Sequence, residues 1–357
     1  MIVHANGAWR SALRLLEVMG IGVMELVDST PATTDVGRPL NPQVLARPLI
    51  VLLIQVMLVV GSCNKDEPSG NAIQDSSGGR KTVGVSLLTM QHQFYQELRL
   101  GLESAGKERG LRLLIVSAEF DSTRQANQLD EFIVQKVDAI VVCPCDSRSV
   151  GASIVAANQA NIPVFTADIA NTSPIGKVVS HIASDNMLGG REAAKLLASA
   201  MKNKGDVAIL SHPEVASVSD RVKGFKEQVA AFPDMRIVAE LSAEGKRDKA
   251  VKVMEDLLQS HPDVGGVFGI NDDTALGALA AIESSGKAGK VQIVGYDATP
   301  EARSKIASGA IFGDVVQNPR RIGELTIAAI ADYFSGRTPP AVIPVEVGVY
   351  TGDRSSP

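Results

Sequence analysis

One pattern occurs twice between residues 264 and 300, and it constrains the fold more than any other part of the chain. An apolar run at 265–270 leads into Asn271 and then into a helical pattern, and a second run at 291–295 leads into Asp297 and another helix start. Apolar strands alternating with amphipathic helices predict a parallel sheet covered by helices. Ligands of such sheets bind at the carboxyl ends of the strands, where both polar residues lie. Acidic and amide side chains there suit a polyhydroxylated ligand better than a phosphate.

The same alternation runs from Lys81 to about residue 349 in two successive series. A chain of 357 residues exceeds one average domain, so two lobes are expected. The series lack a repeat of roughly 20–50 residues, which argues against a solenoid, and an eightfold α/β barrel is the alternative fold. The sequence therefore predicts an α/β protein of two doubly wound, Rossmann-like lobes with a cleft between them.

Composition and motifs argue against several classes of function. A net charge of −5 argues against nucleic acid as the main partner, because binding phosphates needs a basic face. The first strand is not followed by the glycine pattern GxGxxG, and the chain has no G-x-S-x-G nucleophile motif. The histidines are scattered, and no His/Cys cluster indicates a metal. We therefore expect neither an enzyme nor a cofactor.

Two cysteines, Cys143 and Cys145, lie at the end of a predicted strand. The simplest interpretation is that they are small residues of a βα turn. A strained disulfide between them and a metal site are the alternatives.

Residues 48–60 form an apolar run with arginines before it and Gly-Ser-Cys63 after it. Thirteen residues are too few to span a bilayer, whose core needs about 20. The run fits the core of a secretory signal, and its ending resembles a bacterial lipoprotein signal in which Cys63 becomes lipidated. A short buried helix with an incidental cysteine is the alternative.

The parts of the chain around this run predict an exported protein. Residues 1–62 are interpreted as an extension plus signal, and the polar, Gly/Ser-rich stretch 63–80 as a flexible tether. The extension is long for a signal, so Met24 or Val44 is a candidate start. We expect a lipid-anchored protein that faces the periplasm or the cell exterior.

Four motifs carry a family resemblance: ANQANIPV, VVSHIASDN followed by LGG, HPDVGGVFGINDDTALGALAAI, and VGYDATP. Together they resemble the ribose-binding proteins of ABC importers, in the ribose/galactose branch of the type I periplasmic binding proteins. The resemblance covers residues 81–349. It implies two lobes, 81–184 with 318–346 and 185–317 with 347–357, joined by three crossovers in a hinge and closing over one sugar.

The resemblance also implies a set of ligand-binding residues. Two aromatic residues would lie against the sugar ring, and one guanidinium with several amides and carboxylates would bind its hydroxyls. These residues are Phe94, Tyr95, Asp168, Arg221, Asn271, Asp297 and Gln317. Taken singly, Phe94 and Tyr95 could be core residues, Asp297 a helix cap and Arg221 part of a solvated helix face.

Four positions depart from the pattern of the ribose binders. Ile169 replaces an arginine, Gly245 an aromatic residue, Leu88 a hydroxyl residue and His92 an asparagine. Because most of these changes remove polar or aromatic contacts, the sequence predicts a monosaccharide other than ribose. A methyl, deoxy or bulkier substituent would face Ile169 and Leu88.

The predicted function is the extracytoplasmic substrate-binding component of an ABC importer. The partners would be a monosaccharide and a membrane permease, and the protein would be a monomer without metal. One alternative is a sensor that presents its sugar to a chemoreceptor or kinase, and another is a binder of a furanose-like signal molecule. A related sugar-responsive transcriptional regulator would need a basic helix-turn-helix before Lys81, and residues 64–80 lack one.

Overall fold

Two six-stranded sheets form the framework of the chain, with helices packed against them. The computed structural model describes residues 79–352. The predicted signal segment and Cys63 lie outside this range. Within it, none of the helices combines the length and apolar character needed to cross a bilayer.

The first lobe is built on a fully parallel sheet. Its strands are β1 (Thr82–Leu87), β2 (Arg112–Ser117), β3 (Ala139–Val142), β4 (Val164–Ala167), β5 (Val178–Ser184) and β11 (Val342–Val345). Its helices are α1 (Gln93–Glu108), α2 (Ser122–Val134), α3 (Val150–Gln159) and α9 (Pro319–Phe334). The strand order is β11-β5-β4-β3-β1-β2. Central strands such as β3 are buried throughout, as expected for a sheet covered on both faces.

The second lobe repeats this plan with one antiparallel edge strand. Its strands are β6 (Lys204–Ser211), β7 (Asp234–Ser242), β8 (Val264–Gly269), β9 (Gln292–Asp297), β10 (Gly313–Val316) and β12 (Gly348–Tyr350). Its helices are α4 (Asn186–Ala200), α5 (Ala216–Val229), α6 (Arg247–Ser260), α7 (Asp272–Ser284) and α8 (Pro300–Ala307). The strand order is β12-β10-β9-β8-β6-β7, and only β12 runs antiparallel to its neighbour. The predicted fold class of two doubly wound α/β lobes is confirmed.

The chain passes between the sheets three times: from β5 to α4, from β10 to α9, and from β11 to β12. Two features of this path are hard to recognise in the sequence. Strand β10 gives no clear signal, because the buried carboxylate of Asp314 interrupts its short apolar run. The stretch 341–350 has the pattern of one closing strand, but it forms β11 in one sheet and β12 in the other.

Helices α4 and α5 pack unusually closely because glycines lie at their contact. An ideal Cβ on Gly190 would lie 2.0 Å from the carbonyl oxygen of Arg221, and one on Gly224 would lie 2.1 Å from that of Met187. Any larger side chain would force the helices apart. This contact fixes the height of Arg221 above the sheet.

Cys143 and Cys145 are both buried and free. Burial raises the pKa of the Cys145 thiol to about 12, so it stays protonated at neutral pH. Within residues 79–352, no group of three or more His, Cys, Asp or Glu side chains is arranged to hold a metal ion. The disulfide alternative is therefore wrong, and the two residues form part of the first lobe's core.

A half-buried histidine in the first sheet gives a testable pH dependence. His181 Nδ1 lies 2.8 Å from Thr166 Oγ1, and burial lowers the pKa of His181 to about 4. The unfolded chain takes up this proton near pH 6.5, whereas the folded chain does not, so stability is lost as pH falls from 6.5 toward 4. We expect urea unfolding at pH 7 and pH 4.5 to reveal about 2 kcal/mol less acid destabilisation in His181→Gln than in the wild type. The same substitution at His261, outside this sheet, is the control. If both variants lost the same unfolding free energy between pH 7 and pH 4.5, His181 would not be the source of the pH dependence.

Candidate functional site

A cavity lies where strand ends of the two sheets meet, and about 400 Å³ there, part of it open to solvent, is free of protein atoms. All nine residues assigned to ligand binding from the sequence line it: His92, Phe94, Tyr95, Asp168, Ile169, Arg221, Asn271, Asp297 and Gln317. Leu88 and Gly245 line it as well. The structure thus brings together residues that are separated by more than 200 positions in the sequence.

Asp168 follows strand β4 and adopts a positive φ of 63°, a backbone conformation that non-glycine residues rarely take. Tyr95 Oη donates a hydrogen bond to its Oδ2 at 2.7 Å. Among the described residues, no donor reaches its buried Oδ1. Burial raises the pKa of Asp168, while Arg221 and the Tyr95 hydrogen bond oppose that shift. One carboxyl oxygen is therefore fixed and the other is available to accept a hydrogen bond from a ligand.

Arg221 is held in the wall of the cavity by its surroundings. Its Nε donates to Asn186 Oδ1 and its Nη1 to the carbonyl oxygen of Ile270, both at 2.8 Å. The guanidinium carbon lies 3.9 Å from the centre of the Tyr296 ring, in cation–π distance. Only 5% of the residue is exposed, so the solvated-face interpretation is wrong. With Nε and Nη1 bonded in this way, Nη2 is the nitrogen that can donate to a ligand.

Asp297 and Gln317 form a second polar pair, at the ends of β9 and β10. Gln317 Nε2 donates to Asp297 Oδ1 at 2.6 Å, and Gln317 Oε1 is buried without a donor among the described residues. Burial and then the neighbouring Asp272 raise the pKa of Asp297, whereas Arg221 lowers it. The cap of helix α8 is Thr299, whose hydroxyl accepts from the Ala302 amide. Asp297, with φ 118°, is therefore not the cap of that helix.

Asn271 combines a structural role with its place in the cavity. It is the N-cap of α7, and its Oδ1 accepts from the Thr274 amide at 2.9 Å in a capping box. Its Nδ2 donates to the carbonyl oxygen of Gly245 at 3.0 Å. Both ends of the side-chain amide are thereby oriented before any ligand arrives.

The apolar part of the cavity begins with Phe94 and Tyr95, whose rings meet edge to face with centroids 5.2 Å apart. Both are buried in the first lobe's core and also line the cavity, so the core and ligand interpretations apply together. Ile169 and Leu88 continue this apolar surface.

Six further lining residues were missed from the sequence: Phe120, His212, Val215, Ser217, Val218 and Ile270. His212 follows directly after β6, and Phe120 lies three residues after β2. Applying the strand-end rule to every strand would have found these two. The first turns of α5 gave no sequence signal, because their apolar residues look like ordinary helix core.

Two histidines that are far apart in the sequence flank the ring of Phe120 in the lining of the cavity. The ring of Phe120 lies 5.2 Å from that of His92 and 6.4 Å from that of His212. His92 Nε2 is 3.5 Å from Asp273 Oδ2 in the other lobe. Burial lowers the pKa of both histidines, so they are neutral at pH 7. They supply hydrogen-bonding groups to the cavity without adding charge.

The two lobes touch around the cavity. Ser147 in the first lobe donates its amide to the carbonyl oxygen of Glu214 at 3.0 Å, and its hydroxyl accepts from the Ala216 amide at 2.9 Å. Lys246 Nζ lies 4.7 Å from the centre of the Phe120 ring. These contacts join the two lobes beside the cavity, and residues of both lobes line it, so a ligand inside it would touch both.

Comparison with known proteins assigns the chain to a family. Residues 83–338 match the periplasmic binding protein domain. The ribose import binding protein of Bacillus subtilis is 35% identical over 290 residues, 80% of this chain and 93% of its own length. A solved ABC transporter solute-binding protein from Actinobacillus succinogenes with bound D-allose has a TM-score of 0.71 and 29% identity, covering 76% of this chain and 97% of its own. Another from Agrobacterium vitis, bound with α-D-tagatopyranose, has a TM-score of 0.73 and 27% identity, covering 76% and 94%.

These matches confirm the resemblance that the sequence motifs carry. They also agree with the fold, because both solved structures align over three quarters of this chain. The chain belongs to the periplasmic binding protein family, in its ribose-binding-like branch.

Proposed function

We propose that this chain is the extracytoplasmic substrate-binding component of an ABC importer and that it encloses one monosaccharide between its lobes. One observation carries the proposal. Two buried acceptor oxygens, Asp168 Oδ1 and Gln317 Oε1, lack a donor among the described residues and belong to side chains that line the same cavity. A buried acceptor without a donor costs roughly 1–3 kcal/mol, and the hydroxyls of a sugar would supply both donors.

The remaining groups fit the same ligand. Phe94 offers an aromatic surface to an apolar ring face, as carbohydrate sites commonly do. Arg221 Nη2 would donate to a ring or hydroxyl oxygen, and Asp297 would accept from hydroxyls. Hydrogen bonds to charged groups are the stronger kind, which favours a ligand with several hydroxyls.

The identity of the sugar follows from the apolar side of the cavity. Ile169 and Leu88 are 1% and 4% exposed and present only hydrocarbon. A hydroxyl placed against them would lose its hydrogen bonds to water without replacement. We therefore propose a monosaccharide with a methyl, deoxy or bulkier substituent at that position rather than ribose.

The proposal extends to the parts of the chain that lead to the membrane. Export through the signal at 1–62 and lipidation at Cys63 would place the protein outside the cytoplasm on the tether 63–80. The lobes would comprise 81–184 with 318–346 and 185–317 with 347–357. The protein would act as a monomer that delivers its sugar to a membrane permease.

A thermal-shift screen tests the function. The purified chain is heated with D-ribose, D-allose, D-arabinose, D-tagatose and 6-deoxyhexoses. A ligand that binds only the folded state must raise the melting temperature, because at a hundred times its Kd it adds about 2.7 kcal/mol to the free energy of unfolding. A shift with at least one of these compounds is expected, and none with any would contradict the proposal.

The apolar wall makes a separate prediction about ribose. Ile169→Arg restores a guanidinium at the position where ribose binders carry one, so it adds a donor beside Asp168. If the wild-type cavity is adapted to a different sugar, this variant should weaken binding of the compound found in the screen and should leave ribose weak as well. Ile169→Met, which keeps hydrocarbon there, is the control. Calorimetry that finds tight ribose binding by Ile169→Arg would instead indicate a ribose site that has lost one contact.

A further inference from the structure

A pair of carboxyl groups in the second lobe lies near Asp297, a residue that lines the cavity. Asp314, on β10, is fully buried, and Asp272, the first residue of α7, is 3% exposed. Both lie over Gly295 of β9, where an ideal Cβ would be 2.4 Å from Asp314 Oδ1 and 3.1 Å from Asp272 Oδ1. Only a residue without a side chain leaves room for the two carboxyls, which are within hydrogen-bonding reach of each other.

The hydrogen bonding of this pair is incomplete without a proton. Asp272 Oδ2 accepts from the Thr299 amide at 2.6 Å. Within the described part of the chain, no donor reaches Asp272 Oδ1 or either carboxyl oxygen of Asp314. Two ionised carboxylates cannot hydrogen-bond each other, whereas one proton between them supplies a donor and removes one of two repelling charges.

The surrounding charges do not provide an alternative counterion. The groups that face the pair are Asp273 on α7, Asp297 on β9 and Arg303 on α8. Two of the three are acidic, and the Arg303 Nε is already bonded to the carbonyl oxygen of Ala298 at 2.8 Å. Burial raises the pKa of both Asp272 and Asp314, in agreement with the geometry.

The pair is connected to the cavity on two sides. The Thr299 amide bonded to Asp272 belongs to the turn that begins at Asp297 and Ala298, both with positive φ. Asp314 lies on the short strand β10, and Gln317 directly follows the end of that strand. If Asp272 and Asp314 were both ionised, their negative charges would also favour protonation of Asp297. A protonated Asp297 would have one acceptor oxygen fewer for the sugar.

We propose that Asp272 and Asp314 share one proton in the folded protein and act as positioning residues, holding the β9–α8 turn and leaving Asp297 ionised as the acceptor for the sugar. This inference rests on the proposed function for its sugar-binding part. The shared proton itself does not depend on any ligand.

The first arm of the test uses no sugar. A carboxyl that keeps its proton only when folded stabilises the fold at low pH, and this contribution is lost as pH rises through its folded pKa. Asp314→Asn supplies a permanent donor and removes the titration. We expect its melting temperature to be within about 2 °C of the wild type at pH 5 and higher by roughly 3 °C or more at pH 8.5. Asp256→Asn, on the exposed face of α6, is the matched control. The same offset at both pH values would overturn the shared proton.

The second arm uses the panel compound that gives the largest thermal shift. We expect Asp314→Asn to keep its affinity at pH 7 within about threefold, and Asp314→Ala to lose more than about tenfold, because only the amide replaces the missing donor. Wild-type affinity should fall at alkaline pH by up to about tenfold per pH unit, while that of Asp314→Asn stays level. Equal loss in both variants would overturn the positioning role. If no compound binds the wild type, the proposed function fails, and the first arm still decides the shared proton.

Discussion

Asp297→Ala should reduce the affinity for the sugar by more than about a hundredfold. The substitution removes an acceptor of the cavity and leaves Gln317 Nε2, now 2.6 Å from Asp297 Oδ1, without its partner. Hydrogen bonds to charged groups contribute about 1.5–3 kcal/mol each, and 1.4 kcal/mol corresponds to a factor of ten, so two lost bonds suffice. Isothermal titration of the compound identified by the screen measures the loss.

The same variant should not be less stable than the wild type. Burial and Asp272 hold the pKa of Asp297 above its ordinary value, so its ionised form disfavours the fold at neutral pH. We expect the ligand-free melting temperature of Asp297→Ala at pH 8 to equal or exceed that of the wild type. Asp256→Ala, on the exposed face of α6, should change neither quantity. If the affinity of Asp297→Ala were within twofold of that of the wild type, Asp297 would not be a sugar-binding residue.

Gly190→Val should destabilise the protein by about 3 kcal/mol or more. Its Cβ would lie 2.0 Å from the carbonyl oxygen of Arg221. Because that oxygen belongs to the backbone of α5, no side-chain movement can relieve the overlap. Overpacking a close contact costs typically 1–3 kcal/mol, and the better helix propensity of valine over glycine offsets only a few tenths of a kcal/mol of this. Because the displaced helix carries Arg221, sugar affinity should fall in the fraction that still folds. Urea unfolding and titration measure the two effects.

Ser199→Val provides the control for Gly190→Val. It places the same β-branched side chain on an exposed position of the same helix, α4, and it should cost a few tenths of a kcal/mol. Similar destabilisation by the two substitutions would mean that a β-branched side chain anywhere in α4, and not the contact with α5, is responsible. Native stability of Gly190→Val would show that α4 and α5 can separate without loss.

The fold could be predicted from the sequence largely because its strands are apolar and its helices amphipathic. The unit at 264–300 illustrates this, since both its strands and the helix between them form where the pattern indicates. The prediction was incomplete where chemistry interrupts the pattern. Asp314 interrupts the apolar pattern of β10, so that strand is not evident from the sequence. The residue types of 341–350 do not separate β11 from β12, because only the pairing of each strand with its neighbour decides which sheet it joins.

Less of the site than of the fold could be predicted from the sequence. Residues at strand ends, such as Asn271 and Asp297, follow from the rule for parallel sheets. Asp168 and Asp297 owe their positions to positive φ values, which are costly for these residue types and which sequence patterns do not reveal. The meeting of His92 with Asp273 and the hydrogen bonding of Ser147 to the second lobe depend on contacts between lobes, which no local pattern encodes.

A crystal structure of the chain with the sugar found in the screen tests the central claim most directly. The proposed site predicts density for one sugar ring between the lobes, against Phe94 and within reach of Arg221. It also predicts ring hydroxyls about 2.7 Å from Asp168 Oδ1 and from Gln317 Oε1, the normal length of such bonds. A sugar bound elsewhere, or one in the cavity that leaves both oxygens without a hydroxyl partner, would contradict the account.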